Sequence, residues 1–115
     1  TELFALVGLL DDTQVVGDLG CGTGQLAEVM APFVRQVIAV DESSAMLKAA
    51  RARLAAVGNV ELRAGSIEEL PIEAGLLDVA VLSLVLHYVA DPVDVLRGIR
   101  RALKPKAGKL LLVDM

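Results

Sequence analysis

Short apolar runs alternate with helical stretches along this chain, and that alternation leaves few folds open. QVVGDL (14–19), QVIAVD (36–41), VELRA (60–64), DVAVLS (78–83) and KLLLVD (109–114) read as strands. GQLAEVMAPFV (24–34) reads as a helix whose end is limited by Pro32. SAMLKAARARLAAV (44–57) reads as a second helix, with Leu47, Ala50, Leu54 and Val57 on one stripe and Gly58–Asn59 closing it. A third opens at Asp91–Pro92, with Asp91 as cap and an expected apolar stripe of Val93, Leu96, Ile99 and Leu103. Parallel neighbours need a crossover of helical length, so strands separated by helices imply a parallel sheet covered on both faces. Composition agrees. Hydrophobic residues make up 55% of the 115, above the usual share of about 45–50%. Aromatics are only 3%, so Leu, Val and Ala must fill the core.

The first strand runs into VGDLGCGTGQL (16–26), with glycines at 20, 22 and 24 and an acid at 18. Ligands of open parallel sheets bind beyond the carboxyl ends of the strands, near the switch in strand order. A dinucleotide loop wants G-x-G-x-x-G, with the pyrophosphate on the helix N-terminus. Here the third glycine comes one residue early and Gln25 stands in its place. No G-K-[ST] follows, so the loop is not a Walker A loop either. Asp18 would repel a pyrophosphate and attract a cation. The second anchor is Asp41, at the end of the second strand, where an acid can accept from both ribose hydroxyls. Together they describe a nucleoside joined to a cationic group, without a diphosphate.

Charge and composition narrow the remaining classes. The net charge is −4, and Lys and Arg form no dense block in the sequence, which disfavours nucleic acid and anionic membrane as partners. No apolar run reaches the roughly 20 residues of a bilayer span, and TELFALVGLL lacks a basic leader region. One Cys cannot form an internal disulfide, and one Cys with one His argues against a structural zinc site. The expected compartment is the cytoplasm, and no metal is expected.

The ordered motifs VGDLGCGTG, VIAVDESSAML, GSIEELP, LDVAVLSLVLHYVADP and LRGIRRALKPKAG resemble the class I S-adenosylmethionine-dependent methyltransferases. The resemblance is strongest to the ubiquinone and menaquinone biosynthesis branch, and it extends to the methyltransferase halves of ArsR-type regulator fusions. It covers residues 14–114 and implies a Rossmann-like α/β core with S-adenosylmethionine as cofactor. By that resemblance Asp18, Gly20, Gly22 and the backbone of Cys21 would hold the methionine part, and Gly24 would allow close helix packing. Asp41 would take the ribose hydroxyls, Glu42 and Met46 would border sugar and adenine, and Ser66 and Ile67 would sit at the adenine edge. Ser83 would face the transfer site. The family often has Asp at the position of Ser66, an aromatic at Leu77, His at Tyr88, and Pro-Gly-Gly where this chain has Pro105-Lys106-Ala107-Gly108.

The implied reaction is methyl transfer to a small-molecule acceptor by in-line displacement at the sulfonium methyl. His87 and Tyr88 are the weak catalytic candidates. Alternatives are a non-catalytic S-adenosylmethionine-binding regulatory domain and, further off, a nicotinamide-dependent oxidoreductase. Structural readings stand beside the functional ones: Asp41 as a cap before Ser43 and Ser44, Asp18 as a helix-dipole partner, Ser66 as a turn residue, Met46 as core, Cys21 as filler, and His87 and Tyr88 as packing. The family usually continues with a helix and two more strands, one of them antiparallel. Residues 1–115 are therefore expected to be one cofactor-binding core, a fragment of a longer chain. Otherwise the bare KLLLVD edge, a pairing hazard, would be covered in a homodimer.

Overall fold

The computed structural model describes residues 6–83 and 91–113. Five strands form one sheet: β1 (Val15–Leu19), β2 (Gln36–Asp41), β3 (Val60–Ala64), β4 (Val79–Ser83) and β5 (Lys109–Val113). The order is β3-β2-β1-β4-β5, and every pair is parallel. Three α-helices connect them: α1 (Gln25–Met30), α2 (Ser44–Arg53) and α3 (Pro92–Ala102). The first two crossovers run one way across the sheet, and β4–α3–β5 runs the other. Right-handed crossovers then put α1 and α2 on one face and α3 on the opposite face. The core divides accordingly. Val16, Val37, Ala39, Val79 and Val81 pack with Leu26, Met30, Leu47 and Leu54. Val15, Leu19, Ile38, Val40 and Ala80 pack with Val95, Ile99 and Ala102. The strand order switches direction between β1 and β4, so the loop after β1 sits at the switch.

Three expectations need correction. The helix expected over 24–34 is an α-helix only to Met30, then a 3₁₀ turn over Ala31–Phe33, because Pro32 cannot donate the next intrahelical bond. The helix expected over 44–57 stops at Arg53 with Leu54 as its C-cap, and Gly58–Asn59 does not close it. Instead the Asn59 side-chain amide donates to the carbonyls of Ala31 (2.8 Å) and Val34 (3.2 Å) and ties down the entry to β2. The apolar stripe of α3 is Val95, Ile99 and Ala102. Val93 and Leu96 are 53% and 50% exposed. The stripe was misassigned because Val and Leu occur on both sides of this helix, and the small Ala102 carries part of the contact.

The amino edge of the sheet is held by Asp78. Its carboxylate accepts from the Val15 amide (2.7 Å) and pairs with the Lys104 ammonium (2.8 Å), which aligns the starts of β1 and β4. Burial alone would raise the Asp78 pKa. The Lys104 and Val15 hydrogen bonds outweigh it and hold the carboxyl below its ordinary value. No helix of the described residues is long and apolar enough to cross a membrane.

The two sides of α3 should differ sharply under truncation. Ile99→Ala removes a fully buried side chain and should cost about 2–5 kcal/mol. Leu96→Ala, on the wet side, should cost under about 1 kcal/mol. Urea unfolding of both variants checks the assignment.

Candidate cofactor-binding site

The site is built at the carboxyl edge, where β1, β2 and β4 end. Side chains alternate across a strand, so Asp18 shares a face with Val16, Asp41 with Ala39, and Ser83 with Val81. All six lie on the α1–α2 face of the sheet, as the pairing register requires. Three polar side chains thus stand at the ends of three neighbouring strands.

The glycine loop follows the first of these strands. Gly20, Gly22 and Gly24 have φ of 76°, 57° and 87°, a region that L side chains enter only at a cost. Gly24 is also the N-cap of α1. A Cβ there would stand 2.8 Å from Leu54 Cδ1 and 3.4 Å from the Ala50 Cβ, so its bareness lets α2 approach the start of α1. A Cβ on Gly22 would meet nothing within 4 Å; that side of the loop is open.

Four of the loop amides are already engaged. Gly20 and Cys21 both donate to the Val40 carbonyl at 2.8 Å, and Gly24 donates to the Cys21 carbonyl at 3.0 Å. Gly22 donates to Asp41 Oδ2 at 2.8 Å. A phosphate cradle needs converging free N–H groups, and these four are spent on the protein itself. Asp41 therefore braces the loop. Its other oxygen accepts from the Ser43 amide at 2.9 Å, while the Ser43 hydroxyl, not Asp41, caps α2 by accepting from Met46 N at 3.2 Å. A carboxylate has about four lone-pair sites, so two remain for a ligand.

Asp18 is the unusual group. It is 2% exposed, and its Oδ2 has no hydrogen-bond partner among the described residues. Nor does either acid appear in an ion pair there. Burial first, and the Asp41 charge second, push the Asp18 pKa up to about 7. A buried acceptor left unpaired costs about 1–3 kcal/mol, more when charged. The geometry asks for a donor, and a cationic donor most of all. Burial, with Asp18 and Asp41 adding to it, also pushes the Cys21 thiol up to about 12. Near neutral pH it is a protonated filler and not a nucleophile.

The other expected positions divide. Glu42 is exposed and Met46 is 44% exposed, so Met46 is not core; both lie at the mouth beside Asp41. Ser66 follows β3 and its hydroxyl accepts from the Glu68 amide at 3.0 Å, as a turn residue would. Ile67 is half-buried against the α3-side core. Ser83 is buried at the end of β4. His87 and Tyr88 lie outside the described residues. No three His, Cys, Asp or Glu side chains gather to hold a metal among those described. Sequence alone gives neither the role of the Val40 carbonyl nor the place of Leu54 against Gly24, although Leu54 is on the expected stripe of its helix. The first acts through backbone, which any residue supplies, and the second shows only when α2 is laid against Gly24.

The raised Asp18 pKa makes stability without ligand depend on pH. The folded chain holds the Asp18 proton up to about pH 7, whereas the unfolded chain releases it near 3.8. Folding is therefore least penalised below pH 4 and loses stability as pH rises to about 7. The full effect is on the order of 4 kcal/mol for three pKa units. Asp18→Asn should remove this loss. Its stability advantage over the parent should grow between pH 4 and 8 in parallel urea melts.

Comparison with known proteins fits this geometry. The methyltransferase-domain family profile matches residues 17–112. Ubiquinone biosynthesis O-methyltransferase of Xanthomonas oryzae is 39% identical over 97 residues, which is 83% of this chain and 40% of that protein. The crystal structure of YcgJ from Bacillus subtilis superposes with a TM-score of 0.90 at 28% identity, covering 98% of this chain and 50% of that one. A Bacillus halodurans protein described as a methyltransferase gives 0.87 at 32% identity, covering 98% and 49%. The chain thus spans half or less of the length of these relatives. With the family profile covering most of its residues, the chain belongs to the methyltransferase-domain family and, within it, to the class I S-adenosylmethionine-dependent methyltransferases.

Proposed function

We propose that this chain is the cofactor-binding core of an enzyme that moves a methyl group from S-adenosylmethionine to a small-molecule acceptor. The observation that carries the reading is the buried, unpartnered Asp18 carboxylate beside a loop in which four amides are spent. S-adenosylmethionine has an ammonium, a sulfonium and a ribose but no phosphate, and the residues present fit it. Asp18 and the open side of Gly22 would receive the methionine part. The two free lone-pair sites of Asp41 would take the vicinal ribose hydroxyls. Glu42 and Met46 would border the sugar and adenine at the mouth, with Ser66 and Ile67 at the adenine edge. Ser66 would contribute little there, because its hydroxyl already serves a turn.

When bound, the cofactor supplies an electrophilic methyl on sulfonium, which is the difficult part of the chemistry. What remains for the protein is to fix the cofactor, line up the acceptor and exclude water; orientation of this kind can supply roughly 7–11 kcal/mol. Asp41 contributes by holding the loop through the Gly22 amide, and the buried Ser83 closes the β4 side. A small acceptor is favoured by the likeness to the ubiquinone O-methyltransferases. The proposed compartment is the cytoplasm.

Two measurements test this. Asp41→Ala should weaken S-adenosylhomocysteine binding at least about tenfold, or 1.4 kcal/mol, by calorimetry. Intact protein given methyl-labelled S-adenosylmethionine should label a compound in a deproteinised small-molecule extract. Tight cofactor binding with no labelled product would point instead to a regulatory domain.

A further inference from the structure

A cavity of about 830 Å³ opens at the amino edge of the sheet, the end opposite the glycine loop. Its walls come from the end of α3, the turn into β5, and the Ala74–Gly75 segment that leads to β4. Five cations line it: Arg97, Arg100, Arg101, Lys104 and Lys106. Spacings of three and four set the first three on one side of α3. The chain has eleven Lys and Arg in all and a net charge of −4, yet residues 95–113 hold six of them and no acid. The five lining cations fall within residues 97–106, and the fold wraps that stretch around one concavity.

Ordinary structural demands account for only part of this. A helix C-terminus favours cations, which covers Arg100 and Arg101 in the last turn. Lys104 is neutralised by Asp78 at 2.8 Å, and Arg97 is loosely paired with Asp94 at 3.8 Å. Arg100, Arg101 and Lys106 pair with no carboxylate among the described residues. Arg101 is held in place by neutral groups: its guanidinium donates to the carbonyls of Ile72 (2.8 Å) and Leu70 (3.2 Å). That fixes the position of the charge without cancelling it. Lys106 is odder still. Its φ is 67°, and every other described residue with positive φ is glycine. The turn is closed by Ala107 N donating to the Pro105 carbonyl and Gly108 N to the Lys104 carbonyl. A glycine would occupy position 106 without strain, yet a cation stands there, against local backbone preference.

We propose that this cavity is a binding site for a small oligoanion, a compound carrying two or more phosphate groups. Its volume falls within the roughly 300–1,000 Å³ of small-molecule sites. Guanidinium groups match phosphate oxygens in fork geometry, and Lys adds a mobile point charge. A nucleic-acid strand fits less well. No lining residue is aromatic, so there is no platform for base stacking, and outside residues 95–113 five cations face fifteen acids across the chain, which would repel an extended polyanion. The site lies at the far end of the sheet from Asp18 and Asp41, so it is independent of the methyl-transfer reading.

Calorimetry of the intact protein with sodium tripolyphosphate tests the proposal. Arg100→Ala combined with Lys106→Gly should weaken binding at least about tenfold, since two charge-assisted contacts are lost. The double variant should keep its S-adenosylhomocysteine affinity, and Lys106→Gly alone should raise Tm because strain is relieved. Lys48→Ala with Arg51→Ala, on the solvent side of α2, should leave tripolyphosphate binding unchanged. The proposal is overturned if the parent fails to bind, if the double variant binds as well as the parent, or if the α2 variant loses as much. Tighter binding of a single-stranded oligonucleotide than of tripolyphosphate would also overturn it, in favour of a nucleic-acid surface.

Discussion

The Val40 carbonyl accepts from two consecutive loop amides, Gly20 and Cys21, and much of the site depends on that contact. It bends the chain sharply after β1 and leaves these N–H groups unable to face a ligand. Asp41 then takes the Gly22 amide, and the Cys21 carbonyl takes that of Gly24. A loop that resembles a phosphate cradle in composition has four of its amides taken, three by backbone carbonyls and one by Asp41. Beside it stands an acid that nothing in the described structure satisfies. The electrostatic character of the site follows from these two facts together. It offers acceptors, and a ligand must bring the donors.

Much of this was legible in the sequence, for identifiable reasons. Strand alternation is a strong local signal, and all five strands were placed within a residue at each end. Asp18 and Asp41 stand out in the sequence because an acid at a strand end beside glycines has few structural excuses, and the structure brings both to the glycine loop. The failures have equally plain causes. Residues 54–57 carry helix-compatible side chains, but Leu54 already caps α2, and propensity does not count turns. Val93 and Leu96 are as apolar as Val95 and Ile99, so one-dimensional periodicity could not choose the face of α3 against the sheet. Ser66 stands in the sequence as either an adenine-edge or a turn residue, and only the Glu68 amide on its hydroxyl favours the turn.

The two ends of the sheet differ in charge. Acids gather at the carboxyl edge, where Asp18, Asp41 and Glu42 lie within one turn of chain or one strand of each other. Cations gather at the amino edge, around the turn between α3 and β5. The fold makes this separation possible because α3 runs back from the carboxyl edge to the amino edge. Asp78 and Lys104 join the two halves of the sheet at that lower end, so the basic cavity rests on a part of the structure that is firmly held.

Titrating intact protein with S-adenosylmethionine and with NAD, side by side in one calorimeter at neutral pH, tests the electrostatic account most directly. The account predicts saturable binding of the sulfonium compound and none of the dinucleotide. Equal or tighter binding of NAD, lost in Asp18→Ala, would contradict it.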